Sequence, residues 1–272
     1  MPELPEVQTV CDVIGPQVIG RRIAKVCVHT PEMLSCALPE FLQVVTGCCF
    51  ASLDRRGKYL LFSLDGGKKL VMHLRMTGCL LVTSVDAPVA PHTRAEFLLD
   101  NGRCLRFVDQ RRFGRMHLLM PEETLSALEK LGPEPFDVSV TAAYLRDKIG
   151  ASQRTIKDCL LDQTVVAGVG NIYSDEILHV SKIHTAKAAR DLTADEYEKL
   201  AQEIPRVMLY FVEKNAISPE KYLQTGGRDY QNTPYLRVYG RQGKACLQCG
   251  AVLEKRRVSG RGSVFCPVCQ TI

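Results

Sequence analysis

Hydrophobic positions near the amino terminus recur with a helical period. Val7, Val10, Cys11 and Ile14 stand at i, i+3, i+4 and i+7, which gives one apolar face to pack on a neighbour. Gly15-Pro16 is expected to stop that helix. From Arg22 to about Leu119 the pattern shifts to short β-type runs: Ile23 to His29, Lys58 to Leu64, Lys69 to Leu74, Glu96 to Leu99 and Cys104 to Val108. Gly66-Gly67 and Asn101-Gly102 lie between such runs as two-residue hairpin turns, because both pairs tolerate positive φ. An antiparallel β-sandwich or barrel with a flanking helix follows. Leu131-Gly132-Pro133-Glu134-Pro135 breaks the chain, and helical patterns run from about Thr141 to Ala216, with Asp137 or Ser139 as caps. The class is α+β, in three segments: 1–131 rich in strands, 132–236 helical and 237–272 a cysteine-bearing tail.

Composition narrows this reading. Of 272 residues, 46% are hydrophobic and 24% charged, enough apolar material for folded cores and too much for a disordered chain. No run approaches the roughly 20 apolar residues of a membrane helix. The acidic start, Glu3 and Glu6, is unlike a secretory signal, so a cytoplasmic protein is expected. Eight of the twelve cysteines (Cys11, Cys27, Cys36, Cys48, Cys49, Cys79, Cys104, Cys159) show no framework spacing and read as buried free thiols.

The remaining four, Cys246, Cys249, Cys266 and Cys269, form Cys-x2-Cys-x16-Cys-x2-Cys. Two such pairs present four thiolates to one tetrahedral zinc ion and leave no position for water, so the metal is structural. So short a tail buries too little surface to fold alone, and metal binding supplies the missing free energy. It is also basic: residues 237–272 carry seven basic side chains and one acid, whereas the first 236 residues carry a net charge of −1. That asymmetry points to a polyanionic partner. Between the cysteine pairs, Ser259-Gly260-Arg261-Gly262 suits a tight turn with Arg261 at its tip, a good phosphate probe.

Pro2 follows the initiator methionine. Removal of Met1 would expose a secondary amine, and an α-amine is basic enough to attack yet weak enough to be partly neutral near pH 7. Glu3 and Glu6 stand beside it.

Taken together, Met1-Pro2-Glu3-Leu4-Pro5-Glu6-Val7, Arg55-Arg56-Gly57-Lys58-Tyr59-Leu60, His73-Leu74-Arg75-Met76-Thr77-Gly78, Arg111-Arg112-Phe113-Gly114, Leu160-Leu161-Asp162-Gln163, Gly168-Val169-Gly170-Asn171-Ile172-Tyr173 and the four-cysteine finger resemble the formamidopyrimidine-DNA glycosylases. These are bacterial base-excision repair enzymes with a helix-two-turn-helix motif. The resemblance covers nearly the whole chain. It implies a bifunctional glycosylase and abasic-site lyase for oxidised purines in duplex DNA, acting as a monomer. Pro2 would attack C1′ and form a Schiff base that undergoes β,δ-elimination, with Glu3 as the acid that opens the sugar. Lys58 would donate a proton in β-elimination, and Arg261 would be a donor or phosphate clamp in δ-elimination. Met76, Arg111 and Phe113 would fill the gap left by the extruded nucleotide, and His92, Arg154 and Asn171 would hold DNA.

The segment Gln231 to Arg237, between Arg228-Asp229-Tyr230 and Val238-Tyr239-Gly240-Arg241, is short beside the lesion-capping loop of the family, which would broaden the lesion range. Two other readings stay open on sequence: an endonuclease VIII-like enzyme for oxidised pyrimidines, and a catalytically silent lesion-binding module.

Overall fold

The computed structural model describes residues 2–258 and 260–271. Met1, whose removal the expected Pro2 chemistry would require, and Ser259, within the expected finger turn, lie outside the described residues. The chain forms two compact units: Met1–Glu129 with Asn215–Gln231, and Lys130–Lys214 with Asn232–Ile272.

The first unit is an antiparallel sandwich. Its strands are β1 (Ile23–Val28), β2 (Phe50–Arg56), β3 (Tyr59–Leu64), β4 (Lys69–His73), β5 (Gly78–Ser84), β6 (Thr93–Leu99), β7 (Arg103–Asp109) and β8 (Arg115–Leu119). They form two four-stranded sheets, β1-β6-β7-β5 and β2-β3-β4-β8. Phe50, Phe62, Phe97 and Phe107 are fully buried in the apolar core, with Val7, Val10 and Ile14 of helix α1 (Leu4–Val18). A shorter helix, α2 (Leu38–Val45), also packs through Phe41 and Val45.

The expected strands are present, and β2, β5 and β8 are added. Three local expectations are corrected. Helix α1 runs through Gly15-Pro16 to Val18, and Ile19 N–H closes the last turn on the Gly15 carbonyl at 3.0 Å. Pro16 removes one amide donor, and the burial of Val13, Ile14 and Val18 carries the helix past it. Neither hairpin has a two-residue loop. Residues 65–68 join β3 to β4 through Gly66 (φ 69°) and Gly67 (φ 75°), and residues 100–102 join β6 to β7 through Gly102 (φ 74°). Of the eight scattered cysteines, Cys11, Cys48, Cys79, Cys104 and Cys159 are buried, while Cys27, Cys36 and Cys49 are only half-buried.

Residues 215–231 pack with the sandwich unit, although the pattern places them in the helical stretch. Helix α8 (Pro219–Gln224) buries Tyr222 in the sandwich core. The Cys79 thiol donates to the Gly226 carbonyl at 3.4 Å.

A short helix, α3 (Ser126–Glu129), ends the first stretch of the sandwich unit, and the second unit holds α4 (Ala142–Ile149), α5 (Ile156–Leu161), α6 (Asn171–Val180) and the long α7 (Ala194–Lys214). Thr141, not Asp137 or Ser139, caps α4: its hydroxyl accepts Tyr144 N–H at 3.1 Å. Asp137 instead closes a local turn on Ser139 N–H at 2.9 Å. A two-stranded hairpin, β9 (Glu254–Val258) and β10 (Arg261–Phe265), completes the unit. Among the described residues no helix is long and apolar enough to cross a membrane.

Candidate functional site

Pro2 and Glu3 precede α1 and are buried, and Glu6 in its first turn is buried too. The Glu6 carboxylate accepts Glu3 N–H at 2.8 Å in a capping-box arrangement. Its other oxygen accepts from Asn215 Nδ2 at 3.2 Å. The start of the chain is thus tied to a residue 209 positions away. Tyr230 stands in the same unit; burial pushes its phenol well above the ordinary range, and the negative charge of Glu6 adds to this, so it remains protonated.

Lys58 sits in the turn between β2 and β3, after Gly57 with φ 55°, and is 7% exposed. Beside it, His73 at the end of β4 meets Tyr59 edge-on at 4.6 Å between ring centroids. Burial, then the charges of Arg75, Lys58 and His117, drive the His73 pKa down to about 3. The neutral ring accepts Arg75 N–H on Nδ1 at 3.0 Å.

A second cluster gathers where β4 meets β5 and β7 meets β8. Met76 and Phe113 are 44% and 45% exposed, large apolar side chains held out from the sandwich. With Arg75 and Arg115 they line a cleft of about 350 Å³. The Arg111 guanidinium lies 4.5 Å above the Phe113 ring. His92 is exposed at the start of β6. Arg75, His92 and Arg112 all take positive φ (56°, 67° and 59°), an uncommon conformation for side-chain-bearing residues.

The third cluster belongs to the second unit. Helices α5 and α6 are joined by two turns laced by Gln163, whose amide donates to the Leu161 and Val169 carbonyls at 3.0 and 2.8 Å and accepts Gly168 N–H at 2.9 Å. Asn171 is the first residue of α6, after Gly170, at a helix start, whose dipole favours anions. Arg154 is half exposed and pairs with Asp162 at 2.9 Å. Asn171 Nδ2 and Lys157 Nζ both donate to the Gly262 carbonyl at 3.3 Å, next to exposed Arg261 on β10.

The four cysteine sulfurs all lie within 4.8 Å of one another. Thiolates about 2.3 Å from zinc stand about 3.8 Å apart, so the group fits one structural zinc ion. Gln248 N–H and Cys269 N–H donate to Cys246 Sγ and Cys266 Sγ, each at 3.4 Å. Burial raises the Cys269 thiol, and the neighbouring Cys249 and Cys266 raise it further; a cation is what makes four adjacent thiolates tolerable.

Sequence reasoning missed the residues that hold these clusters: Asp109, Lys157, Asp175, Glu176 and Asn215. Asp109, two residues before Arg111, had the form of an Asx turn. The others carry no local signal.

The sandwich unit with its buried Pro2-Glu3 start and the basic four-cysteine hairpin match the zinc-finger class of DNA glycosylases. Residues 1–116 match the formamidopyrimidine-DNA glycosylase N-terminal domain, 131–221 its H2TH domain and 243–272 the zinc finger found in FPG and IleRS. The chain is 39% identical over 274 residues to the formamidopyrimidine-DNA glycosylase of Lactobacillus gasseri (100% of this chain, 99% of the relative). It is 44% identical over 260 residues to that of Moorella thermoacetica (94% and 95%). The crystal structure of Lactococcus lactis FPG with a FAPY-dG containing DNA superposes with a TM-score of 0.90 at 34% identity, covering 99% of this chain and 100% of that one. The chain belongs to the formamidopyrimidine-DNA glycosylase family. Its α+β class, helix-two-turn-helix motif and four-cysteine finger agree with the sequence expectation.

Proposed function

We propose that this chain is a bifunctional DNA glycosylase and abasic-site lyase that excises oxidised purines, formamidopyrimidine and 8-oxoguanine, from duplex DNA. The observation that carries the reading is the anchoring of the amino terminus. Glu6 and Asn215 hold the peptide of Glu3 in place, so a processed Pro2 nitrogen is fixed at the head of a buried helix rather than free to move.

In this reading the Pro2 nitrogen, once Met1 is removed, attacks C1′ of the damaged nucleoside. The glycosidic electron pair leaves with the base, which takes up a proton. Glu3 protonates O4′ as the C1′–O4′ bond opens, giving an iminium between Pro2 and C1′. Loss of a C2′ proton expels the 3′-phosphate, and a second elimination expels the 5′-phosphate. Lys58 serves the first elimination as proton donor. Arg261 serves the second as a phosphate clamp, because a guanidinium gives up its proton reluctantly.

Met76, Arg111 and Phe113 fill the gap left by the extruded nucleotide, and His92, Arg154 and Asn171 bind the DNA backbone. Segment 1–131 supplies the nucleophile and the wedge; segments 132–236 and 237–272 supply phosphate contacts, the last with its zinc as a structural staple. The enzyme acts as a cytoplasmic monomer.

The test is borohydride trapping by processed, zinc-loaded protein on duplexes that carry an abasic site, formamidopyrimidine, 8-oxoguanine or an oxidised pyrimidine. A covalent adduct mapped to Pro2, with purine lesions ranked first, is the expected result. Tight binding without an adduct on any duplex overturns the enzyme reading, and preference for the oxidised pyrimidine overturns the substrate.

A further inference from the structure

Asp109 ends β7 and is completely buried. Its Oδ1 accepts the Thr77 hydroxyl and, at 3.1 Å, Arg111 N–H; its Oδ2 accepts Gly114 N–H at 2.8 Å. The Arg111 amide is shared with Thr77 Oγ1, also at 3.1 Å. The backbone takes part as well. Asp109 N–H donates to the His92 carbonyl at 3.0 Å, and the Asp109 carbonyl accepts Arg94 Nε at 2.8 Å.

One residue therefore joins three segments that are far apart in sequence. Thr77 adjoins Met76, Arg111 to Gly114 carry the guanidinium and the Phe113 ring, and His92 immediately precedes β6. Each segment holds a residue at positive φ: Arg75, Arg112 and His92. Such positions are strained and persist only where the surroundings over-determine them. A buried carboxylate that accepts several donors at once supplies that constraint, since hydrogen bonds to a charged acceptor are the stronger kind.

The approach is also close. A Cβ at Gly114 would overlap the Phe107 ring, and one at Gly78 would overlap the Leu74 carbonyl. Both loops are pinned at their bases while Met76 and Phe113 stand out.

We propose that Asp109 is a positioning residue for nucleotide extrusion, setting the spacing of Met76, Arg111 and Phe113 so that they enter the gap together. The inference rests on the glycosylase reading above. It differs from a purely structural role in what it affects. The Pro2 chemistry on an abasic sugar in a single strand needs no wedge, whereas the same chemistry in a duplex does.

The experiment compares wild type with Asp109→Asn, in which the amide opposes Gly114 N–H with a second donor. Borohydride trapping is measured on an abasic site in a single strand and on the same abasic site in a duplex, with 2-aminopurine beside the lesion to report unstacking. The duplex-to-single-strand ratio is expected to fall about 10²-fold, the scale of an ångström-sized misplacement, and the 2-aminopurine signal is expected to drop with it. An unchanged ratio, whether both rates are retained or fall together, overturns the proposal.

Should Asp109→Asn not fold, Thr77→Val removes only the hydroxyl link. The same ratio should then fall about tenfold and recover in Thr77→Ser; no fall, or no recovery, overturns the proposal. Failure of wild type to trap any abasic substrate would instead refute the glycosylase reading.

Discussion

Lys157 Nζ lies 2.7 Å from Asp175 Oδ1, and both side chains are completely shielded from solvent. Asp175 also accepts the Ser263 hydroxyl at 2.6 Å and Val264 N–H at 3.0 Å, while Lys157 reaches the Gly262 carbonyl. The pair thus fastens the finger hairpin to α5 and α6. Burial pushes the Asp175 carboxyl up, against the opposing pull of Lys157, Ser263 and Val264. Removing one partner strands the other charge, so Lys157→Met is expected to cost about 3–5 kcal/mol, read by urea denaturation. An effect below 1 kcal/mol would show that the pair does not fasten the hairpin.

Glu176, the next residue on α6, accepts three successive amides: Arg237 at 2.9 Å, Val238 at 2.9 Å and Tyr239 at 2.9 Å. Its carboxyl is raised by burial, which those amides oppose. Glu176→Gln turns part of this acceptor into a donor facing N–H groups. About 2 kcal/mol of stability should be lost, with faster zinc release to a chelator as the second readout.

His73 gives a pH signature. Its folded pKa of about 3 lies below the unfolded value near 6.5. Below pH about 6.5 the unfolded chain takes up a proton that the folded chain does not, so stability is lost as the pH falls from there toward about 3. Between pH 7 and 5 this amounts to about 2 kcal/mol. His73→Asn keeps an acceptor for Arg75 N–H and should lose that much less over the same interval; parallel denaturation curves would refute the assignment.

Arg261 tests the clamp. Arg261→Ala should lower the slope of log Kobs against log salt by about 0.9 on duplex DNA, the contribution of one phosphate contact. Its melting temperature should match wild type. An unchanged slope means that Arg261 contacts no phosphate.

Cys249→Ser removes one of four zinc ligands. Zinc content should fall from one equivalent toward none, and duplex affinity by at least about 10-fold as the basic hairpin loses its frame. Full affinity in a zinc-free protein would separate the metal from DNA binding.

Two parts of the candidate site were legible in the sequence because each rests on short-range geometry, while the other candidate residues came from the family resemblance. Two Cys-x2-Cys pairs encode a tetrahedral site by spacing alone, and the structure gathers the four sulfurs. Pro2, Glu3 and Glu6 share one helix start. Five of the eight sandwich strands followed from alternation, although β2, β5, β8, the loop lengths and the end of α1 did not, since core burial overrides local breakers. What only tertiary structure decided is which distant residues meet. Asp109 with Thr77 and His92, Lys157 with Asp175 and Ser263, Glu176 with the amides of 237–239, and Glu6 with Asn215 depend on packing between elements tens to hundreds of residues apart. A buried charge has no periodicity of its own. Its partners are chosen when desolvation forces each polar group to find a donor or acceptor in the folded interior.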